Sequence, residues 1–116
     1  MLKIYGIKNC NSMKKAFDAL NAQGLSYEFH DYKKTAIDAA TIHIWLQHLG
    51  ADVVLNKKGT TWRKLSEEQQ QFALASEENL IQTLIEHSSL IKRPILQTSQ
   101  GFIAGFDEQV YQSISA

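Results

Sequence analysis

Apolar and polar residues alternate at the start of the chain, and the pattern then changes to a helical one. Apolar residues around Leu2 and Ile4 indicate a strand, and those at positions 13–20 recur at the spacing of one helix face. Residues 25–32 alternate again, as a second strand does. A strand–helix–strand connection of this length predicts a right-handed parallel unit.

The middle of the chain, from about residue 35 to residue 90, has helical periodicity and no strand pattern. Thr35 or Asp38 can cap its first helix. Residues 66–69 match a capping box, and Phe72 is predicted on the apolar side of the helix that follows. In the basic loop before that helix, Trp62 is either an exposed aromatic or a packing aromatic at a helix start. This segment therefore predicts a run of helices.

Strand patterns return near the end of the chain. Residues 90–97 and 101–106 flank a turn and together predict an antiparallel hairpin. Asp107 can cap a last helix, with Val110 and Tyr111 on its inward side. The predicted order is strand, helix, strand, several helices, strand, strand, helix, which is an α/β arrangement.

Composition limits the class of protein. The 116 residues suffice for one domain, 1–116, with its own core. Twelve basic and twelve acidic residues cancel, so no global charge favours binding to nucleic acid or to a membrane. We found no signal peptide and no membrane-length apolar run, and expect a cytoplasmic protein. With one cysteine, an internal disulfide framework is excluded and a structural zinc site is not expected.

That cysteine, Cys10, lies where the first loop becomes the first helix. Asn11 or Ser12 can cap the helix, and the free amides and positive dipole end favour a thiolate. Nearby positive charge comes from Lys8, Lys14 and Lys15. A lone cysteine is more often a small buried hydrophobe, but the polar neighbours of Cys10 favour a reactive role.

Arg93 and Pro94 supply a second, independent signal. Pro94 is the only proline, and a proline suits the first position of a strand because it donates no ladder hydrogen bond. Arg93 is either a solvated surface charge or a planar guanidinium that binds an anion. Its position beside Pro94 favours the second interpretation.

Three motifs give the chain a resemblance to a known family: residues 4–10, residues 56–63 and residues 92–95. They resemble the ArsC/Spx/YffB family of arsenate-reductase-related thioredoxin-like proteins, and fit the YffB-like subgroup best. The resemblance implies a thioredoxin-like fold, a four-stranded mixed sheet of β-α-β…β-β-α order, with an all-helical insertion at about 35–90. It also implies a cis Pro94 beside the active-site cysteine.

At several positions the sequence differs from the family's arsenate reductases and from its Spx-type regulators, and these differences disfavour some of the family's functions. Glutathione-dependent arsenate reductases of the family use two further arginines, at positions that align near Asn56 and Gly105. An arsenate site needs several charge-assisted donors, so arsenate reduction is disfavoured. Many Spx-type regulators carry a CxxC switch, whereas Met13 occupies its second cysteine position here. A non-enzymatic docking adaptor of the Spx type remains the alternative to an enzyme.

The resemblance implies a glutathione-dependent monothiol oxidoreductase. Cys10 is the expected nucleophile, and glutathione or another small thiol is the expected co-substrate, with a protein disulfide as a candidate substrate. Neither a metal nor a tightly bound cofactor is expected, because the four histidines have no ligand spacing. Neither direct nucleic-acid binding nor membrane binding is expected. The predicted substrate and glutathione contacts are Arg93, Pro94, Lys8, Asn9, Asn11 and Arg63.

Overall fold

The computed structural model describes residues 2–114, and the chain divides into two compact units. The first unit comprises residues 1–35 and 93–116, and the second comprises residues 36–92. The first contains Cys10, Arg93 and Pro94, so its fold determines the geometry of the candidate site. The prediction of one domain over the whole chain stays a prediction.

The strands and helices follow the predicted order. Their bounds are β1 Leu2–Gly6, α1 Asn11–Ala22, β2 Tyr27–Asp31, α2 Ala39–Leu49, α3 Ala51–Val54, α4 Thr60–Lys64, α5 Glu67–Ala75, α6 Glu77–Glu86, β3 Ile95–Thr98, β4 Gly101–Ala104 and α7 Glu108–Gln112. A short 3₁₀ helix, Ser88–Leu90, follows α6. The predicted all-helical segment between the second and third strands is confirmed.

The strands of the first unit form a mixed four-stranded sheet in the order β2-β1-β3-β4. β1 is parallel to β2, with Tyr5 opposite His30, and antiparallel to β3, with Tyr5 opposite Ile95. β3 and β4 form the predicted antiparallel hairpin. The carboxyl end of β1 therefore lies between the end of β2 and the start of β3, and the chain leads from there to Cys10.

The core of the first unit forms where α1 packs on one face of this sheet. Strands contribute alternate residues to that face and α1 contributes one stripe, because the two elements have periods of 2 and 3.6 residues. The fully or almost fully buried cluster consists of Leu2, Ile4, Met13, Ala16, Leu20, Leu96 and Tyr111. Burying each large side chain stabilises the fold by roughly 1.5–3 kcal/mol. The cluster therefore anchors the first turn of α1, where Met13 lies.

Side-chain oxygens cap three helices of the second unit, the first two at predicted places. Asp38 accepts from the Thr41 amide at 2.8 Å, and Ser66 and Gln69 form the complete capping box. Ser76 caps α6. Within residues 36–92, the strand-like pairing consists of one isolated β-bridge, between Leu55 and Ile91.

No helix among residues 2–114 combines the length and the apolar content that crossing a membrane requires.

Two predictions of side-chain burial, for Phe72 and Val110, are wrong, and Trp62 takes the packed alternative rather than the exposed one. Trp62 is buried, at 9% exposure, because its ring faces inward from α4 while the Lys57 ammonium lies over it, 5.8 Å from the ring centre. Phe72 is 43% exposed because α5 buries the next residue, Ala73, which is rotated by about 100° on the helix. Val110 is likewise exposed, whereas Tyr111 beside it is fully buried as predicted.

Candidate active site

Gly6, the last residue of β1, allows the start of α1 to pack closely against the strand. A side-chain carbon at Gly6 would overlap the Met13 sulfur and would lie 2.6 Å from the Met13 methyl carbon. Met13 is itself fully buried. The glycine and the methionine therefore fill one space, and together they hold the first turn of α1 beneath the loop that carries Cys10.

Cys10 is the N-cap residue of α1, a place that the sequence analysis assigned to Asn11 or Ser12. Its backbone is extended, with φ −139° and ψ 136°, and the helix begins at Asn11. The Cys10 carbonyl accepts from the Lys14 amide at 3.0 Å, the first bond of the helix. A sulfur thus occupies the position where an oxygen usually caps a helix.

The surroundings of the half-buried Cys10 sulfur favour its thiolate. Burial raises the pKa of the thiol, but the Met13 amide, a hydrogen bond and positive charge from Arg93, and the Ser12 amide all lower it. The lowering contributions exceed that of burial, so the pKa lies below its ordinary value. Two backbone amides and one guanidinium are therefore directed at the sulfur.

Arg93 and Pro94 reach this place from the other side of β1. The Arg93–Pro94 peptide bond is cis, as the resemblance implied. The Pro94 carbonyl accepts from the Gly105 amide at 2.8 Å, which ties the segment before β3 to the end of β4. Pro94 is buried and Arg93 is half-buried. The Arg93 guanidinium is thus held beside the Cys10 sulfur rather than extended into solvent.

The other predicted contacts lie around the loop or elsewhere. Asn9 and Asn11 are exposed and flank Cys10 in sequence. Lys8 lines a cavity of about 440 Å³ whose other walls come from β2 and the turn after it, and Cys10 is not part of that lining. Arg63 belongs to the second unit, where its Nη2 donates to the Lys58 carbonyl at 2.8 Å. The structure therefore groups Cys10 with Arg93, which the cis Pro94 follows directly.

The contributions of Gly6 and of the Met13 backbone to the site were missing from the sequence analysis. The residue type does not show where a backbone amide points. The effect of the Met13 amide on Cys10 can therefore be recognised only once the start of α1 is known. Gly6 did leave a signal, a glycine closing an apolar strand, which often marks close packing. Among residues 2–114, no three His, Cys, Asp or Glu side chains are grouped as metal ligands would be.

Comparison with known proteins places the chain in a family. The ArsC family model matches residues 5–114. An uncharacterized protein of Haemophilus influenzae is 34% identical over 116 residues, which is all of both chains. The uncharacterized protein YfgD of Escherichia coli is 30% identical over 98 residues, covering 82% of this chain and 80% of that one.

Solved structures agree with that placement. A protein named YffB has a TM-score of 0.92 at 38% identity, with all of both chains covered. An arsenate reductase (ArsC) related protein from Brucella melitensis has a TM-score of 0.73 at 37% identity, covering 97% of this chain and 92% of that one. These matches confirm the predicted thioredoxin-like fold and support the thiol-oxidoreductase kind of chemistry. The chain therefore belongs to the ArsC family, and its similarity to YffB supports the YffB-like subgroup.

Proposed function

We propose that the protein is a glutathione-dependent monothiol oxidoreductase that reduces disulfides through Cys10. The observation that carries the proposal is the position of the Cys10 sulfur at the N-cap of α1, where two amides and Arg93 lower its pKa. A thiolate, not a thiol, is the nucleophile in disulfide exchange. The chain has no second cysteine, so the thiol that completes the cycle comes from outside.

The reaction consists of two exchanges. In the first, the Cys10 thiolate attacks one sulfur of a disulfide, the sulfur–sulfur bond breaks, and the departing thiolate takes up a proton. Cys10 is then joined to the other half as a mixed disulfide. In the second, the thiolate of glutathione attacks the sulfur of that half, which releases the Cys10 thiolate. With a mixed disulfide of glutathione as the substrate, the half bound to Cys10 is glutathione, so the products are the free thiol of the substrate and oxidised glutathione, and the incoming glutathione thiol is oxidised as the substrate sulfur is reduced.

Arg93 has two roles in this scheme. Its charge stabilises the thiolate before attack, and its planar guanidinium can bind a carboxylate of glutathione or of the substrate. We assign Pro94, Lys8, Asn9 and Asn11 to the same ligand, with the backbone before Pro94 pairing with it as a short strand.

The surroundings of Pro94 favour a sulfur substrate over a multiply charged oxyanion. Gly105 donates its amide to the Pro94 carbonyl, so it lies next to the site, yet it brings no side chain. Asn56, the other position that family arsenate reductases fill with arginine, is uncharged. Arg93 alone supplies less charge than an arsenate needs, while it suffices for one carboxylate.

A thiol-transfer assay with glutathione tests the proposal. The wild type should reduce a mixed disulfide of glutathione, and Cys10→Ser should abolish this turnover while its circular dichroism stays unchanged. Ser99→Ala, in the turn between β3 and β4, is the matched control and should keep full activity. Arg93→Ala should bind glutathione more weakly. Turnover that survives in Cys10→Ser would refute the mechanism, and a wild type without turnover that still captures a protein partner would indicate a docking adaptor instead.

We place this reaction in the cytoplasm. A single cysteine that must stay reduced, and a co-substrate that is an abundant reduced thiol, both suit a reducing compartment.

A further inference from the structure

The strand β2 is an edge strand of the sheet, so one side of its backbone faces away from β1. The Tyr32 amide, directly after β2, donates to the Gly6 carbonyl at 2.8 Å across the parallel pair of strands. Backbone groups of successive residues in a strand point to opposite sides, so His30 directs its groups towards β1 as well. Phe29 and Asp31 therefore direct theirs towards the outer edge, where another extended chain can pair with them.

The turn after β2 uses one of these outward groups. The Asp31 carbonyl accepts from the Lys34 amide at 3.1 Å and from the Thr35 amide at 3.0 Å. The Phe29 amide and carbonyl and the Asp31 amide remain directed at the outer edge. Because an antiparallel strand exchanges two hydrogen bonds with a single facing residue, Phe29 can form the centre of such a pairing.

A cavity of about 440 Å³ lies at this edge, and its lining connects β2 with the loop that carries Cys10. Residues 28–31 of β2 contribute to the lining, together with Lys8, Lys34 and Thr35. Lys8 comes two residues before Cys10, so the Cα atoms of the two residues are at most about 7 Å apart. A segment bound in the cavity can therefore be joined, through two or three residues, to a cysteine that forms a disulfide with Cys10.

Charges in the lining are separated along the edge. Lys8 follows the end of β1 and Lys34 follows the end of β2, whereas Glu28 lies three residues before Asp31, about 10 Å back along the strand. The Asp31 carboxylate already accepts from the Lys33 amide at 2.9 Å. In the part of the chain that the structure describes, neither Lys8 nor Lys34 forms a salt bridge. The edge is thus positive near the active-site loop and negative further away.

We propose that this edge binds an extended polypeptide segment of a protein disulfide substrate, with an acidic residue close to the cysteine and a basic residue about three positions from that acid. The backbone of the segment pairs with Phe29. Its carboxylate contacts Lys8 or Lys34, and its basic side chain contacts Glu28. The cavity has a volume within the range of roughly 300–1,000 Å³ that is usual for ligand sites. This inference rests on the proposed function and narrows its substrates to polypeptides.

Binding is tested with an unreactive peptide of this pattern, in which serine replaces the cysteine, added to the isotope-labelled protein. The NMR signals of Lys8 and of Tyr27–Asp31 should shift. At a peptide concentration about ten times the Kd, hydrogen exchange of the Phe29 and Asp31 amides should slow about tenfold. A peptide with its acidic and basic residues exchanged should bind about threefold to tenfold more weakly. No shifts, shifts confined to other residues, or equal binding of the two peptides would overturn the proposal.

Two further measurements separate strand pairing from contacts of side chains alone. N-methylation of two consecutive peptide residues removes an amide that faces Phe29 in either register, because alternate amides face the partner strand. This peptide should bind about tenfold more weakly, and full affinity would overturn the proposal. Sedimentation of the protein without peptide tests the other occupant of such an edge. A dimer that protects the same amides would assign the edge to a second copy of the chain and would also overturn the proposal.

Turnover gives an independent result. Lys34→Glu should lower kcat/KM for the glutathionylated peptide about tenfold relative to kcat/KM for a small disulfide. Lys64→Glu makes the same change of charge at an exposed position of the second unit and is the matched control; an equal effect of both variants would contradict the proposal. The binding measurements require no turnover. A protein that binds the peptide but reduces nothing would refute the proposed function alone, and reduction of small disulfides without peptide binding would refute this inference alone.

Discussion

Replacing Gly6 with alanine tests how the sheet and the start of α1 fit together. The added methyl group would overlap the Met13 sulfur, would lie 2.6 Å from the Met13 methyl carbon and would lie 3.4 Å from its Cγ. Met13 is fully buried, so its thioether has no open space to move into. The substitution therefore overpacks the core at the base of the active site.

Two effects of opposite sign determine the size of the change. Overpacking a closely packed core costs about 1–3 kcal/mol. Gly→Ala by itself stabilises a compatible position by about 0.4–1 kcal/mol, because the unfolded chain loses freedom. Gly6 is not among the glycines with positive φ, so the second effect applies. We expect a net loss of about 1–2 kcal/mol, equivalent to roughly 4–10 °C in Tm for a chain of this size.

Urea and thermal unfolding followed by circular dichroism measure this loss. Repeating the substitution in a Met13→Ala background separates the steric effect of the new methyl group from other causes of destabilisation. Met13→Ala alone should cost about 2–5 kcal/mol, but it empties the space that the new methyl group needs. Gly6→Ala should then be neutral or stabilising in the Met13→Ala background. If Gly6→Ala destabilises both backgrounds equally, the steric explanation is wrong.

Two further predictions concern groups outside the site. Ser66→Ala should destabilise the second unit by about 1 kcal/mol, while Ser66→Gly should cost only a few tenths, and equal losses in urea unfolding would refute the capping role. Tyr111→Phe should leave stability unchanged or raise it by about 1–3 kcal/mol, because the buried Tyr111 hydroxyl has no hydrogen-bond partner among the described residues. Burial also raises the pKa of Tyr111, so its contribution to stability is present below the unfolded value near 10 and is lost as the pH rises above it. Tyr111→Phe should lose less stability than the wild type between pH 9 and pH 11, and an equal loss would contradict this.

The sequence predicted the sheet and the helix order because both depend on local periodicity. Capping boxes are equally local, and the pair of Ser66 and Gln69 was identified from four consecutive residues. Pro94 could be identified as the start of a strand for the same reason, since its ring restricts its own backbone.

Features that depend on tertiary packing were harder to predict. The N-cap of α1 is Cys10 rather than Asn11 or Ser12, and the first turn of the helix carries Met13, which packs against Gly6. Trp62 follows a run of polar residues, so its neighbours in the sequence left open whether its side chain is exposed or packed.

The measurement that tests the central claim most directly is the pH dependence of Cys10 alkylation by a neutral reagent, in the wild type and in Arg93→Ala. A free cysteine titrates at about 8.5. Because amides and Arg93 lower the pKa of Cys10, the wild-type midpoint should lie clearly below that value and should rise in Arg93→Ala. A wild-type midpoint at or above 8.5, or no alkylation without denaturant, would contradict an activated thiolate and with it the proposed reductase.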